Sequence, residues 1–292
     1  MIEKIIKNRF NREIVLYCWQ VEKPQAVLVL AHGASEHIHR YAKFAQYLKE
    51  QGIMVIGYNH LGHAENKIEL KEGVFFAQEN GHQLLVSDLE DVCLFAYQQY
   101  TDLPLIVMGH SMGSLIVRNW AIKSKLLVDG LIICGSLHPS PTLIKSGLLF
   151  AKAQIKLFGK YHLSNILNKI AFGSLEKRIS YNQENVINYK NDPECGQQFS
   201  NQAIYDLMQL MNDIIDDNKI KQSLKTKYFI ISGSDDPFSN KTKQLDLYLN
   251  SLKRYGFNYS YKFYQNMKHE ILNEENKEIV FEDIVAFIRK IK

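Results

Sequence analysis

The chain is poor in several things, and each shortage removes a class of protein. It has four cysteines, Cys18, Cys93, Cys134 and Cys195, with no C-x-x-C pair among them. No disulfide framework follows, and several of the four lie in apolar strand or helix patterns, where reduced buried thiols are the usual reading. No apolar run approaches the ~20 residues that a bilayer-spanning helix needs. The opening residues, Met1 to Arg9, lack a signal peptide's sustained apolar core and small-residue cleavage site. A cytoplasmic protein is therefore expected. Charge of one sign is also scarce: 35 Lys+Arg against 31 Asp+Glu leaves +4, too small and too dispersed for a nucleic-acid surface. Internal repeats and low-complexity tracts are missing. What the 292 residues do have is a 46% hydrophobic fraction, enough for a sizeable core. One large α/β domain with an insertion is expected from that length.

Strand and helix patterns alternate along most of the chain. Glu3 to Lys7 and Glu13 to Gln20 read as two strands around an Asn11-Arg12 turn, an antiparallel edge. Further strands are expected at 27–30, 53–58, 105–108, 131–134, 228–232 and 259–263, with helical patterns at 41–51, 84–100 and 275–290. This order predicts an α/β fold with a mostly parallel, doubly wound central sheet of about eight strands. Sites in such sheets form at the C-terminal strand ends. One interval breaks the alternation. From His138 to Lys225 no strand pattern occurs, and helical patterns at 142–161 and 202–217 dominate. The interval is too long for a plain loop. It is read as a helical cap, 138–225, inserted into a core made of 1–137 and 226–292 and folded over the site.

The chemistry is concentrated at the strand ends. The strand at 105–108 runs into Gly109-His110-Ser111-Met112-Gly113, the G-x-S-x-G nucleophile elbow, and a helical pattern follows at Leu115, Ile116, Asn119 and Trp120. A serine hydroxyl is a poor nucleophile unless a turn exposes it, a base takes its proton and amide donors meet the oxyanion. In this architecture the acid and then the histidine follow the serine. The acid falls in Gly233-Ser234-Asp235-Asp236-Pro237, where two aspartates compete and both suit a turn. The histidine is His269, in the loop after the strand at 259–263. It would take the Ser111 proton and return it to the leaving group, while the aspartate holds its tautomer. The oxyanion donors would be the amide of Met112, after the nucleophile, and that of Ala34, after the strand at 27–30.

Four segments together resemble one family. They are His32-Gly33-Ala34-Ser35-Glu36-His37 with Arg40-Tyr41, Asn59-His60-Leu61-Gly62-His63, the Ser111 elbow, and Gly233 to Asp236 with His269. The chain resembles an α/β-hydrolase of the monoacylglycerol lipase and lysophospholipase group, also catalogued as serine aminopeptidase-like (S33, Hydrolase_4 type). The resemblance implies the α/β-hydrolase fold with a cap, and Ser111, Asp236 and His269 as a triad, with Asp235 the turn-former. It implies Ala34 and Met112 as oxyanion donors, a lipid-like ester substrate and no cofactor. One departure stands out. The family has Asp-His-x-Gly-His-Gly where this chain has Asn59 to Ala64, which removes a carboxylate beside the site without touching the triad.

The remaining patterns bear on substrate and partners. Ile144, Leu148, Ala151, Ile155 and Phe158 form one apolar stripe in 142–161, with Lys145, Lys152, Lys156 and Lys160 on an adjacent face. Such a helix packs on a core, lines an acyl tunnel or rests peripherally on an anionic membrane. His32, His37, His39, His60 and His63 lie in turn segments with no matching acidic or thiolate set, which argues against metal. The expected function is a serine carboxylic-ester hydrolase that works through an acyl-enzyme on a single-chain lipid, as a lysophospholipase or monoacylglycerol lipase. The alternatives are a carboxylesterase for small soluble esters and a non-catalytic binding protein on the same fold. The sequence leaves oligomeric state open.

Overall fold

The computed structural model describes residues 1–67 and 69–291. The strands are β1 (Ile2–Lys7), β2 (Glu13–Trp19), β3 (Ala26–Ala31), β4 (Ile53–Tyr58), β5 (Leu105–His110), β6 (Gly130–Cys134), β7 (Lys227–Gly233) and β8 (Asn258–Tyr264). The helices of the sheet layers are α1 (Ala42–Glu50), α2 (Gly81–Gln99) and α3 (Met112–Lys123), and later α10 (Lys243–Arg254) and α11 (Glu278–Arg289). Between β6 and β7 lie α4 (Pro141–Phe158), α5 (Asn165–Phe172), α6 (Leu175–Arg178), α7 (Gln183–Asn191), α8 (Asn201–Ile214) and α9 (Asp217–Gln222). The eight strands form one sheet in the order β1-β2-β4-β3-β5-β6-β7-β8. The β1–β2 and β2–β4 pairs are antiparallel, and the pairs from β4 through β8 are parallel. This is the doubly wound α/β architecture that the alternation predicts.

Period-two alternation divides the core between the two faces of the sheet. Val27, Val29 and Ala31 of β3 point into the layer with Leu85, Leu89, Leu115 and Leu207. Leu28 and Leu30 point into the opposite layer, with Phe44, Leu48, Phe281 and Ile284. Helices cover both faces, so β3, β4, β5 and β6 are buried along their whole length. Their sequences are correspondingly continuous apolar runs. The edge strand β1 carries Lys4 and Lys7 and is mostly exposed, a charged edge that discourages pairing with another chain.

Strand order places the site. The chain passes from β3 to β4 on one side and then returns to β5 on the other, so the sheet winds in opposite senses on either side of β3. The loops after β3 and β5 therefore part above the C-terminal strand ends and leave a crevice. Above it, Leu207 and Leu210 of α8 join the core beside α3. Arg118 of α3, fully buried, ties down the start of the helical segment and the end of α8. It donates to Ser136 Oγ (3.1 Å) and the Leu137 carbonyl (2.8 Å) at the first point, and to the Ile214 carbonyl (3.1 Å) at the second.

The β5–α3 crossing sets the tightest limit on sequence. A Cβ on Gly113 would stand 2.1 Å from the Ala31 carbonyl oxygen, and one on Gly109 would stand 2.2 Å from that of Gly113. Both obstacles are backbone and cannot rotate away. Gly113→Ala is expected to cost about 2 kcal/mol or more, read as a lower melting temperature. An unchanged melting temperature would show that the elbow has slack.

Candidate active site

Ser111 is the single residue between the last residue of β5 and the first of α3. Its backbone has φ 52° and ψ −119°, an unfavourable conformation for a residue with a side chain. Its amide donates to the Cys134 carbonyl of β6 at 3.0 Å, which fixes the turn to the sheet. Met112 opens α3, so its N–H belongs to the free first turn of a helix, where the dipole favours negative charge. The turn after β3 stands opposite. Gly33 N–H donates to Glu36 Oε1 at 2.6 Å and Ser35 N–H donates to His63 Nε2 at 3.2 Å. Ala34 lies between them, and it lines one pocket together with Ser111, Met112 and His269.

His269 comes from the loop after β8 and Asp236 from the turn after β7. The imidazole Nδ1 donates to Asp236 Oδ2 at 2.9 Å. Asp236 is wholly buried and also accepts from Phe238 N–H at 2.8 Å and Ser232 Oγ at 3.1 Å. Burial pushes the Asp236 carboxyl up, but His269 and these donors outweigh it and hold the group below its usual range. For His269 burial favours the neutral ring, and the Asp236 charge overcomes that and raises its pKa. Asp235 points elsewhere. Its carboxylate accepts from the exposed Tyr181 hydroxyl at 3.2 Å and its amide donates to the Met267 carbonyl at 3.0 Å. The structure thus brings Ser111, His269, Ala34 and Met112 to one pocket, places Asp236 behind the histidine, and leaves Asp235 outside.

Several polar groups around the pocket had no role assigned from sequence. Glu36, buried, accepts from Gly33 N–H and from Tyr41 Oη (2.6 Å). Arg40 pairs with both Glu36 and Glu270, the residue after His269. The signal available in the sequence was the motif that holds Glu36, Arg40 and Tyr41, and a carboxylate directly following the histidine. His32, His60 and His63 brace the turn after β3. His32 Nδ1 donates to the Gly33 carbonyl (2.7 Å), and its Nε2 accepts from His60 N–H (3.0 Å). Burial holds His60 at about 3 and His63 at about 4. These rings act as neutral hydrogen-bonding partners.

One expectation is corrected. The turn histidines were read as lacking any acidic or thiolate partner, and His37 has both. Its Nε2 lies 2.8 Å from Asp192 Oδ2, and the three ligand-type atoms of His37, Asp192 and Cys195 lie within 4.8 Å of one another. The helices between β6 and β7 fold Asp192 and Cys195 back over the β3 loop, a proximity that spacing along the chain does not encode. Asn59 also finds an explanation. Its Oδ1 accepts from Ile38 N–H and its Nδ2 donates to Glu65 Oε2, both at 2.8 Å. An aspartate there would face the Glu65 carboxylate, so the amide suits this surrounding.

A profile of the family described as serine aminopeptidase, S33 (Hydrolase_4) matches residues 22–276. The chain belongs to this family. Within it, a rat monoglyceride lipase is 28% identical over 171 residues, which cover 58% of this chain and 52% of that protein. The chain thus aligns with about half the length of that relative. Phospholipase YtpA of Bacillus subtilis is 26% identical over 281 residues, 93% of this chain and 98% of the relative. Among solved structures, a thermostable carboxyl esterase from Bacillus coagulans superposes with a TM-score of 0.85 at 23% identity, covering 99% of this chain and 98% of that one. The Hydrolase_4 chain is thus an esterase- or lipase-type hydrolase with the α/β-hydrolase fold.

The buried imidazoles generate a pH prediction. A histidine with a folded pKa of about 3 or 4 takes up a proton in the unfolded chain below its usual ~6.5 but stays neutral when folded. Stability should therefore fall as pH drops from about 6.5 toward 4. Melting temperature against pH reads this, and His63→Asn should flatten the slope. An equal slope in that variant would remove His63 from the account.

Proposed function

We propose that the chain is a serine carboxylic-ester hydrolase acting through an acyl-enzyme. The observation that carries this is the 2.9 Å His269–Asp236 bond behind a pocket lined by the strained Ser111. In this reading Ser111 Oγ attacks the ester carbonyl carbon and His269 Nε2 takes its proton. The carbonyl oxygen becomes an oxyanion held by the amides of Ala34 and Met112. The C–O bond breaks, the alcohol leaves with the proton from His269, and the acyl group stays on Ser111. Water then attacks, gives its proton to His269, and releases the fatty acid as Ser111 regains a proton. Asp236 holds the ring with Nδ1 protonated and stabilises the imidazolium in both halves.

The substrate proposed is a lipid with a single acyl chain, and segment 138–225 is proposed as a cap over the site. Support comes from a second cavity of about 480 Å³ with mostly apolar walls, including Leu143, Phe150, Ile170 and Met208. It shares Leu137, Ala171, Leu207, Met211 and Phe238 with the pocket at Ser111. A hydrocarbon chain leaving the acyl carbon has an apolar path there, and burying it supplies about 0.8 kcal/mol per methylene. The rat relative is named a monoglyceride lipase, which fits a single-chain ester, and the Bacillus subtilis relative a phospholipase, which fits a lipid ester.

Peripheral membrane contact is part of the proposal. Among the described residues no helix is long and apolar enough to cross a membrane. On α4 the stripe read from sequence turns largely inward, since Ile144 and Ala151 are buried. Phe158, the last residue of that stripe, is exposed, and so are a second apolar set, Leu143, Leu149 and Leu157, and Ile166 and Ile170 of α5. Lys145, Lys152 and Lys156 stand exposed along the same helix. Apolar side chains flanked by lysines suit an anionic lipid surface.

Fatty-acid release from long-chain monoacylglycerol, long-chain lysophosphatidylcholine and a butyrate ester tests the reaction. A folded Ser111→Ala variant should lose turnover by about 10⁴-fold or more, and Asp236→Asn should be severe where Asp235→Asn is mild. Near wild-type activity in Ser111→Ala would sink the mechanism. Preference for a long-chain lipid supports the acyl path, whereas preference for butyrate assigns the chain to small soluble esters. Separately, Leu149→Ser with Leu157→Ser should weaken sedimentation with anionic vesicles by about tenfold and leave butyrate turnover intact. Undiminished sedimentation would move the contact off α4.

A further inference from the structure

The proposed chemistry needs two loops in register, the turn after β3 that carries Ala34 and the loop after β8 that carries His269. They come from residues more than two hundred positions apart, and sheet hydrogen bonds fix neither. The structure joins them chiefly through the Arg40 side chain. Glu36 accepts the Gly33 amide of the first loop at 2.6 Å, and Glu270 directly follows His269 in the second. Arg40 donates from Nη1 to Glu36 Oε2 (2.5 Å) and Glu270 Oε1 (2.7 Å), and from Nη2 to Glu270 Oε2 (2.7 Å). A fourth bond runs from Nη2 to Asn185 Oδ1 of α7 at 2.9 Å, while Asn185 Nδ2 donates to Glu270 Oε2 at 2.7 Å. Tyr189, one turn further along α7, stacks on the guanidinium at 4.8 Å and donates its hydroxyl to the Ser35 carbonyl at 3.0 Å. A parallel link passes from Glu36 through Tyr41 Oη (2.6 Å) to His110 Nδ1 (2.8 Å), and His110 Nε2 lies 3.2 Å from the His269 carbonyl.

We propose that Arg40 is a positioning residue that locks the Ala34 turn and the His269 loop together, and does so only while α7 is seated on it. The inference rests on the serine-hydrolase reading and adds a dependence of that site on the helical segment. A planar fork can meet two carboxylates and an amide at once, which a lysine ammonium on a flexible stem cannot. Both carboxylates are buried, so their geometry depends on keeping this partner. Displacing α7 removes Asn185 and Tyr189 from the same cluster, and both loops then gain freedom near the reacting atoms. Misplacement of about 1 Å can cost about a hundredfold in rate.

The test uses the full chain and three variants, Arg40→Lys, Arg40→Met and Asn185→Leu. Asn185→Leu leaves no charge unpaired and remains informative if Arg40→Met fails to fold. For each, melting temperature, the rate of labelling by a fluorophosphonate, and kcat and KM on the preferred ester are measured. Arg40→Lys should lower kcat and labelling rate by about 30- to 100-fold, and Asn185→Leu by about five- to tenfold, with KM within about threefold of wild type. The two changes combined should lose less than the product of the single losses, because they act through one cluster. Full activity in Arg40→Lys, losses carried by KM, or multiplicative losses would overturn the proposal. Wild type that fails to label would remove the serine-hydrolase reading and this inference with it. Wild type that labels, with folded variants labelling equally fast, would remove the inference alone.

Discussion

The crossing of β5 and α3 over the end of β3 governs the geometry of the rest. Gly109 and Gly113 let backbone touch backbone there, with a hypothetical Gly113 Cβ only 2.1 Å from the Ala31 carbonyl oxygen. Because strand and helix approach so closely, the residue between them has to turn sharply, and Ser111 is held at a positive φ. Parallel pairing of β5 with both β3 and β6 resists relaxation of that strain. The same pairing aligns the C-terminal ends of β3, β5, β7 and β8, so four loops that carry polar residues arrive at one place. A rigid sheet in this way converts local strain into a fixed direction for one hydroxyl.

Electrostatics around that point follow from burial. Asp236, Glu36 and Glu270 are buried and the Arg40 side chain is largely covered, so each charge needs a partner. Asp236 finds His269, and the two glutamates share Arg40. Neutral groups fill the remaining demand. His32, His60 and His63 meet backbone amides and carbonyls as uncharged rings, because desolvation disfavours their protonated forms. The neighbourhood is thus divided into charged pairs that hold loops and neutral rings that fill space and hydrogen-bond. Removing one member of a pair leaves the other desolvated and uncompensated, which is far costlier than removing an exposed charge.

The helices between β6 and β7 are amphiphilic in two senses. Their inward side chains, such as Leu207 and Leu210, extend the core. On α4 and α5, Leu149, Leu157 and Ile166 remain exposed. Serine and asparagine N-caps at Ser140, Ser164, Asn182 and Ser200 start α4, α5, α7 and α8. The segment is therefore well-formed helix by local criteria, yet it is anchored to the sheet layers at particular points, above all Arg118 and Arg40.

Much of the fold was legible in the sequence. Strands such as 27–30 and 105–108 are continuous apolar runs closed by glycine turns, and the elbow pentapeptide states its own backbone requirement. Residues whose role depends on their own turn, such as Ser111 and Met112, could be named from spacing alone. The choice between Asp235 and Asp236 could not, because adjacent residues share a turn chemistry and differ only in direction. Local pattern was also silent on the encounters of His37 with Asp192, Arg40 with Glu270 and Arg118 with Ile214, since each joins segments separated by many residues. It showed the inward stripe of α4 but not the exposed leucines, because periodicity gives a face without saying what else is left uncovered. Period and turn chemistry are properties of neighbours along the chain, and they determined the elements and the order of the site residues. Partnership between buried charges is a property of neighbours in space, and only the tertiary structure decided it.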